Sequence, residues 1–245
     1  MSMVRKIRCL VERVDNHGDR VYTVDLRPER PVPVFQPGQF LHFTLDEYDP
    51  SGFWPESRVF SIASSPKDRD RLRIIYSVKG VYTTRMEQEL AAGRGVWVKL
   101  PYGEFVVQGG KDAVLIAGGT GISAFQAFID GLSAEHPNKV VLLYGARTPE
   151  LLLGGQGLED KMRAVPNFRA ICFAEKSGPA SAPEARGTSA GLQSGRINLA
   201  ALGDCVGGES AVYYLAGPPA MLAAFRPELK GRGVAEHCIC VDAWE

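Results

Sequence analysis

The segment Gly118–Ser123, which reads Gly-Gly-Thr-Gly-Ile-Ser, could bind an anionic cofactor. It follows the apolar run from Ala113 to Ala117 and precedes a helix-like segment that begins at Ala124. Glycines let a phosphate approach the backbone, and a helix N-terminus supplies free N–H groups and a partial positive charge. Many strand-to-helix turns carry glycines for steric reasons alone, so this motif indicates a nucleotide site only together with other residues.

A second segment, Arg58–Ser61, combines an arginine with an aromatic ring. Side chains alternate along a strand, so Arg58 and Phe60 share one face while Val59 and Ser61 share the other. Arg58 could hold a phosphate as a bidentate donor, and an exposed Phe60 could stack on a flat ring. The competing interpretation is an ordinary barrel strand with an arginine at its edge, because a single short motif is weakly specific.

A third segment, Lys79–Thr84, has a glycine followed by hydroxyl side chains at a predicted helix start. Thr83 could be the N-cap of that helix, which is a structural role. The N–H and hydroxyl donors of Gly80 and Thr83 could instead bind a phosphate. Both interpretations stay open for this segment considered alone.

The composition of the chain limits its class and its partners. It has 245 residues, 45% of them hydrophobic and 23% charged, and its formal net charge is zero. These values are typical of a globular protein with a sizeable core, and they do not favour broad binding to nucleic acid or to a membrane surface. No apolar run approaches the ~20 residues of a membrane span, and the N-terminus lacks the apolar core of a signal peptide. We therefore expect a cytoplasmic protein with no membrane partner.

The cysteines are scattered along the chain without a Cys-x-x-Cys pair. Their odd number and their spacing favour neither a disulfide framework nor a four-cysteine zinc or iron–sulfur site, so we expect no metal. We interpret them as small buried hydrophobic residues. They are Cys9, Cys172, Cys205, Cys238 and Cys240.

The elements that would position these motifs differ between the two halves of the chain. Six short runs rich in Val, Ile, Leu and aromatic residues, divided by turn clusters, predict a small antiparallel β-barrel. One helix is predicted among them, from Thr84 to Ala92, with Met86 and Leu90 on one face and Gly93 as its stop signal. The six runs are Ile7–Val14, Val21–Leu26, Phe40–Leu45, Arg58–Ala63, Leu72–Val78 and Val96–Leu100.

In the second half, predicted strands alternate with helices, which favours a Rossmann-like α/β domain with a parallel sheet covered on both faces. The segment Ala174–Ser194 is rich in Ala, Gly, Ser and Pro, and we interpret it as a long loop, either disordered or a mobile cover. We place the barrel domain at 1–104 and the α/β domain at 105–245. The predicted strands are Ala113–Ala117, Lys139–Tyr144, Phe168–Phe173, Ala211–Ala216 and Cys238–Val241, and the predicted helices are Ser123–Ser133, Glu159–Ala164 and Pro219–Leu229.

Taken in order, the motifs are more specific than any one of them alone. Arg-x-aromatic-Ser is followed by Gly-x-x-Thr at a helix start and by Gly-Gly-Thr-Gly after a strand. Tyr144–Arg147, Ala216–Met221 and Asp242–Trp244 then come at the ends of later strands. This ordered set covers nearly the whole chain and resembles the ferredoxin–NAD(P)⁺ reductase-like family of flavoenzymes. The resemblance implies a flavin-binding barrel and a nicotinamide-binding α/β domain, with the cofactors meeting between them.

For the barrel, the resemblance implies residues that hold a flavin. Arg58 would bind a flavin phosphate, Phe60 would lie against the isoalloxazine or its ribityl chain, and Ser61 would sit near the N5 edge. The next strand would run along the flavin, and the start of the helix would hold the phosphates. The remaining implied flavin-binding residues are Val59, Ile75, Tyr76, Ser77, Val78, Gly80, Val81, Tyr82 and Thr83.

For the α/β half, the resemblance implies a dinucleotide site. Thr120 would lie where flavin and nicotinamide meet, and with Ser61 it would position the reacting rings. Asp242 and Trp244 occupy the C-terminal catalytic positions, where Trp244 would either cover the flavin or anchor the C-terminus in the core. The implied dinucleotide-binding residues are Gly119, Thr120, Gly121, Arg147, Gly217, Pro218 and Met221.

The chain departs from the family pattern at four places. Phe60 replaces the usual Tyr, which keeps a stacking ring but removes a phenol hydrogen bond. Ala216 stands where many members have Cys, and Ala124 replaces a frequent Pro. Asp242 and Trp244 take the places of a Glu and of a Phe or Tyr.

The cofactors implied by the resemblance are FAD, with FMN as the alternative, and NADH or NADPH as the substrate. A 2′-phosphate needs Arg or Lys, usually after the third strand of the α/β half, where the chain reads Phe-Ala-Glu-Lys. Glu175 would repel that phosphate and could accept a hydrogen bond from a ribose hydroxyl. Arg147 and Lys176 weakly favour NADPH, but the charge of Glu175 leads us to expect NADH.

We expect a flavin-dependent NAD(P)H oxidoreductase that passes electrons to a separate protein, which would be a ferredoxin, a flavodoxin or an oxygenase component. The alternative from another class is a non-catalytic flavin-binding electron-transfer or regulatory subunit with a degenerate nicotinamide site. The alanine at position 216 and the segment Ala174–Ser194 allow that alternative. A flavin-free nucleotide- or sugar-binding module is a third interpretation, and it predicts a colourless protein.

Overall fold

The computed structural model describes residues 3–176, 191–203 and 211–242. The described chain divides into two compact units. The first contains the residues up to Val106 together with Ser123–Phe128, and the second contains Val107–Ile122 and the residues from Ile129 onward. Each unit has its own sheet and its own apolar core.

The first unit is built on an antiparallel sheet. Its strands are β1 Arg5–Asn16, β2 Val21–Pro28, β3 Phe40–Thr44, β4 Arg58–Ser61, β5 Leu72–Ser77 and β6 Gly95–Tyr102. Within the described residues, these six strands are arranged in the order β4-β3-β6-β1-β2-β5. The outer strands approach each other where the Ala63 N–H donates to the Arg73 carbonyl at 2.9 Å, so the sheet nearly closes. The predicted antiparallel barrel is confirmed.

Apolar alternation explains why these strands enclose a core. In β1, Ile7, Cys9 and Val11 are buried, while the residues between them are half-buried. The inward residues of the other strands join the same apolar cluster. Helix α1, Val81–Glu89, adds Tyr82 and Met86 to this cluster, which fixes the helix against the barrel.

The start of α1 differs from the prediction. The helix covers residues 81–89, so the predicted range of 84–92 is wrong by three residues at each end. Gly80 is the N-cap, and Thr83 lies inside the first turn. From there the Thr83 Oγ1 accepts hydrogen bonds from the N–H groups of Lys79 and Gly80, at 2.9 and 3.1 Å. Thr83 therefore stabilises the helix start from inside the first turn, and the helix begins three residues earlier than predicted.

The second unit contains a parallel sheet with helices. Its strands are β7 Ala113–Gly118, β8 Val140–Ala146, β9 Phe168–Ala174, β10 Leu192–Ser194, β11 Val212–Ala216 and β12 Ile239–Val241. The helices of this part of the chain are α2 Ser123–Gly131, α3 Gly155–Ala164 and α4 Pro219–Gly231. Most of α2 is grouped with the first unit. Within the described residues, the strands are arranged in the order β10-β9-β8-β7-β11-β12. The chain runs from β7 outward to β10 and then crosses to β11 on the other side of β7. The strand order therefore reverses at β7, and ligands of such sheets bind at the carboxyl ends of the strands beside this point.

Three details of the α/β prediction are corrected. Strand β10 lies in the segment Ala174–Ser194, which was expected to be a loop, while residues 177–190 of that segment lie outside the described residues. Its sequence, Leu-Gln-Ser, is too short to give an apolar period. Helix α3 begins at Gly155, before the predicted start at Glu159. The prediction begins too late because two glycines in the first turn of the helix resemble a loop. Cys238 ends a 3₁₀ turn instead of starting β12.

The cysteines that can be described are small core residues, as expected. Cys9, Cys172 and Cys238 are buried and Cys240 is half-buried, all as free thiols, while Cys205 lies outside the described residues. Burial raises the pKa of the Cys172 thiol to about 12, so it is an unreactive neutral group at physiological pH. Within the described ranges, no helix is long and apolar enough to cross a bilayer.

Candidate functional site

The first unit places an arginine over the start of a helix. The Arg58 guanidinium lies above the ring of Tyr82, 4.6 Å from its centroid. Tyr82 is the second residue of α1, so this cation stands beside the first turn, where the backbone N–H groups have no acceptor within the helix. Arg58 also pairs with Glu56 at 2.8 Å, but both side chains are about half exposed. Such a pair is weak enough for a bound anion to replace it.

Tyr82 holds this arrangement in place from the barrel interior. Its hydroxyl donates to the Phe43 carbonyl and accepts from the Leu45 N–H, both at 3.1 Å. The residue is only 3% exposed, and burial raises the pKa of its hydroxyl. The hydroxyl is therefore committed to β3 and cannot reach a phosphate, whereas the ring face and the backbone N–H remain directed toward the helix start.

The helix start is open to a ligand. A Cβ atom added to Gly80 would meet no atom within 4 Å, and Val81 is largely exposed. With Arg58 on one side, this surface offers a cation and the backbone N–H groups of the first turn together, while the Thr83 hydroxyl is engaged with Lys79 and Gly80. That donor set suits a phosphate. The model thus brings the sequence-predicted residues of both motifs into one place.

Among the described strands, β4 lies at an edge of the sheet, next to β3 alone. The Ile62 N–H donates to the Gln39 carbonyl at 2.9 Å, which marks Ile62 as a residue bonded toward β3. Hydrogen-bonding direction alternates along an antiparallel strand, so the N–H and C=O groups of Val59 and Ser61 point away from β3.

The outer edge of β5 has the same property. The Val78 N–H donates to the Arg20 carbonyl at 3.0 Å, so Val78 is bonded toward β2. By the same alternation, the N–H and C=O groups of Ile75 and Ser77 point away from β2. These are the two edges that approach each other in the barrel, and β5 leads directly into α1. A flat heterocycle with both donors and acceptors fits such edges, with its phosphate at the helix start.

The Phe60 side chain is less exposed to solvent than the sequence predicts. It shares a face with Arg58, as the alternation predicts, but its ring is half-buried instead of exposed. It contacts Phe43 edge-on with centroids 6.0 Å apart, and lies 6.1 Å from the ring of Tyr76. Part of the ring therefore completes the barrel core, and the rest remains accessible to a ligand.

In the second unit, glycines let two turns pack together beside β7. A Cβ atom on Gly121 would lie 2.3 Å from the Ala216 carbonyl oxygen. One on Gly118 would lie 2.7 Å from the Met221 Sδ, and one on Gly217 would lie 2.8 Å from the Met221 Cε. Close packing of the carboxyl ends of β7 and β11 accounts for these three glycines.

Two helices begin at these turns. After Gly119 and Thr120 the chain enters α2, and after Pro218 it enters α4. Gly119 has φ of 55°, a conformation that favours glycine, and a Cβ there would meet nothing within 4 Å. Since β7 and β11 are neighbours, both helix N-termini lie at the point where the strand order reverses. This surface offers positive helix ends and open backbone to an anionic dinucleotide.

Of the two C-terminal residues predicted to be catalytic, Asp242 can be placed. Its N–H donates to the Leu215 carbonyl at 2.8 Å, which puts it at the carboxyl end of β12, beside β11. Trp244 lies outside the described residues.

The carboxyl ends of β8, β9 and β10 carry a group of charged residues. The Lys176 N–H donates to the Arg147 carbonyl at 2.9 Å, and the Glu175 N–H donates to the Ala146 carbonyl at 3.1 Å. Arg196, after β10, pairs with Glu175 at 3.5 Å. The sequence does not predict Arg196 as part of this group, because β10 is too short to show that a strand precedes it.

Among the described residues, no three His, Cys, Asp or Glu side chains form a group that could hold a metal ion.

Comparisons with known proteins agree with this geometry. A family model described as "Oxidoreductase NAD-binding domain" matches residues 115–226. The reductase component DmpP of phenol 2-monooxygenase from Pseudomonas sp. (strain CF600) is 28% identical over 238 residues, which cover 94% of this chain and 63% of that protein. The chain spans about half to two-thirds of the length of the curated relatives it matches first, at 47%, 58% and 63%.

Solved structures share the fold over the whole chain. Cytochrome P450 reductase GcoB from Amycolatopsis has a TM-score of 0.82 at 24% identity, covering 100% of this chain and 71% of its own. A ferredoxin NADP⁺ reductase from Neisseria gonorrhoeae with bound FAD and NADP has a TM-score of 0.76 at 20% identity, with 98% of each chain covered. The two sheets, the family-model match and the reductase relatives agree, and the chain belongs to the ferredoxin–NAD(P)⁺ reductase-like family of oxidoreductases.

Proposed function

We propose that this chain is a flavin-dependent NAD(P)H oxidoreductase that delivers electrons to a separate protein. In this proposal the barrel domain, 1–104, binds FAD, and the α/β domain, 105–245, binds the nicotinamide dinucleotide. The observation that carries the proposal is the position of Arg58 over the first turn of α1, beside the outer edges of β4 and β5. A phosphate subsite next to a pair of edges that suits a heterocycle is the donor set that a flavin nucleotide requires.

In the barrel, we assign the phosphate subsite to Arg58 and to the helix start. The ring would lie along β4 and β5, with backbone donors and acceptors of Ser61 and Ile75 oriented toward it. Phe60 would contact the ring with its accessible part. The other proposed flavin-binding residues are Val59, Tyr76, Ser77, Val78, Gly80, Val81, Tyr82 and Thr83.

In the α/β domain, we assign the pyrophosphate to the turns at the start of α2 and α4. Thr120 and Ser61 are proposed to position the reacting rings, and Asp242 and Trp244 to complete the site. A bound flavin would supply hydride acceptance from the nicotinamide and electron release to the acceptor. The residues of the chain orient the cofactors and keep water away from them. The other proposed dinucleotide-binding residues are Gly119, Gly121, Arg147, Gly217, Pro218 and Met221.

The acceptor is proposed to be an oxygenase component. Support comes from the similarity to the reductase component of a phenol monooxygenase and to a cytochrome P450 reductase. A ferredoxin or a flavodoxin would be the acceptor if reduction of an oxygenase component fails while reduction of that carrier succeeds.

The test begins with the absorbance spectrum of the purified protein, which should show a bound flavin. Addition of NADH or NADPH without oxygen should bleach it. Arg58→Gln should lose flavin at least tenfold more readily, while the control Arg13→Gln, which removes an exposed barrel arginine paired with Asp15, should retain it. A colourless protein that takes up neither FAD nor FMN would refute the proposal. Flavin that neither nucleotide reduces would favour the non-catalytic electron-transfer subunit.

A further inference from the structure

Ion pairs hold helix α1 from two nearly opposite sides. Arg85 pairs with both carboxylate oxygens of Asp46, shortly after β3, at 2.9 and 3.4 Å. Glu87 pairs with Arg20, in the turn between β1 and β2. Residues 85 and 87 lie about 200° apart around the helix, because each residue turns it by ~100°. The two pairs therefore oppose rotation of the helix about its own axis.

The pair between Arg20 and Glu87 contains several hydrogen bonds. The Arg20 Nε donates to both carboxylate oxygens of Glu87 at 3.1 Å, and its Nη2 donates to the Oε2. The Tyr22 hydroxyl donates to the Oε1 at 2.9 Å. These two donors, Arg20 first, lower the pKa of the Glu87 carboxyl below its usual value. The Glu87 side chain is only 23% exposed, so water shields this contact less than it shields a surface pair.

The backbone of Arg20 makes a second contact with the same part of the chain. Its carbonyl accepts a hydrogen bond from the Val78 N–H at 3.0 Å. Val78 precedes the segment Lys79–Thr83, which contains the proposed phosphate-binding turn, and Glu87 follows that segment. Arg20 therefore holds this segment at both ends, once through its backbone and once through its side chain.

The conformation of Arg20 is unfavourable by itself. Its φ is 58°, and that of Asp19 is 46°. Residues with a side chain rarely adopt this left-handed region, and glycine suits such positions of a hairpin turn better. The local turn thus gains nothing from an arginine. The contact with α1 is what offsets the cost of this backbone conformation.

We propose that Arg20 is a positioning residue of the phosphate subsite, which fixes the start of α1 so that its first N–H groups and Arg58 meet the flavin phosphate together. This inference rests on the proposed function. Helix α1 has nine residues, and a helix of this length is not stable in isolation. Contacts along its sides therefore determine where its N-terminus lies. Without the Arg20 side chain the helix can turn about its buried residues, and the phosphate is held less tightly.

The test compares flavins with and without a phosphate. Arg20→Gly removes the side-chain contact, keeps the carbonyl that accepts from Val78 and suits the left-handed turn. In the flavin-free full-length chain, this variant should bind FMN and FAD about threefold to fivefold more weakly, which is the effect expected of one partly exposed ion pair. Riboflavin, which lacks the phosphate, should bind with unchanged affinity. Flavin fluorescence measures all three affinities.

A second variant and a matched control accompany this measurement. Glu87→Gln should weaken FMN and FAD binding to a similar extent, and the double variant should lose no more than the larger single effect, because both substitutions remove one interaction. Arg27→Gln and Glu12→Gln are the controls, since they break a 3.1 Å ion pair that joins β1 to β2. They should leave the affinity for each flavin unchanged.

The results separate failure of this inference from failure of the proposed function. Equal weakening of riboflavin and FMN in Arg20→Gly overturns the inference, because the whole barrel would then be affected; a lower urea midpoint would accompany that result. Unchanged FMN affinity, an equal effect in the controls, or a wild-type chain that binds FMN no more tightly than riboflavin also overturns it. A wild-type chain that binds none of the three flavins refutes the proposed function itself.

Discussion

Two buried tyrosines of the barrel provide a controlled test of how the phosphate subsite is supported. Tyr82 is 3% exposed and Tyr76 is 2% exposed, so both bury a hydroxyl. The Tyr82 hydroxyl makes two hydrogen bonds with the backbone of β3 and the residue after it. Among the described residues, the Tyr76 hydroxyl has no hydrogen-bond partner. The same substitution should therefore have opposite consequences at the two positions.

Tyr82→Phe should lower the free energy of unfolding of the barrel by about 1–3 kcal/mol, because it leaves a buried N–H and a buried carbonyl without their partner. Tyr76→Phe should change it by less than about 0.5 kcal/mol or raise it, since it removes a buried polar atom that is already unpaired. In both variants residue 82 still has an aromatic ring beneath Arg58. We therefore expect flavin retention to fall only to the extent that the start of α1 becomes less ordered.

Urea unfolding followed by tryptophan fluorescence measures both variants, since Trp54 and Trp97 lie in the first unit. The slope of the transition should stay unchanged, so that the midpoint reports stability. Equal losses in the two variants, or a loss below about 0.5 kcal/mol for Tyr82→Phe, would refute the reasoning from hydrogen bonds.

Two further predictions concern packing and pH. Gly121→Ala should destabilise the second unit by about 3 kcal/mol or more and abolish dinucleotide binding. The added Cβ would lie 2.3 Å from the Ala216 carbonyl oxygen, so the backbone of both turns must move. A thermal melting temperature equal to that of the wild-type protein would contradict this prediction. Burial raises the pKa of Tyr76 above its usual value, so the unfolded chain ionises first. Stability should be fully present below about pH 10 and fall as the pH rises beyond it, and Tyr76→Phe should flatten that part of a stability-against-pH curve.

Much of the fold could be predicted because it depends on local apolar patterns. The six barrel strands and most of the α/β elements follow from alternation, run length and turn residues. One error has a tertiary cause and another a local one. β10 pairs with β9, which its three residues do not signal. The start of α1 depends on a local hydrogen bond from the Gly80 N–H to the Thr83 Oγ1, and a hydroxyl residue near a helix start is compatible with either the N-cap or the first turn.

The motifs of the candidate site could be predicted from the sequence, but the contacts that hold them in place could not. Arg58 and Gly80 lie twenty-two residues apart, and only their order suggested a common role. Gly145 lies within the motif Tyr144–Arg147, yet its place in the structure is to make room for Ile197. Packing between distant segments determines such glycines, so sequence cannot separate them from glycines that face a ligand.

The proposed phosphate subsite of the barrel combines a fixed support with an exposed arginine. The buried Tyr82 hydroxyl donates to the Phe43 carbonyl, which holds the tyrosine ring beneath Arg58. Arg58 also pairs with Glu56, and both side chains are about half exposed. Because such a pair is weak, an arriving phosphate can replace the glutamate at little cost, so Arg58 is kept close to where the phosphate binds before the ligand arrives.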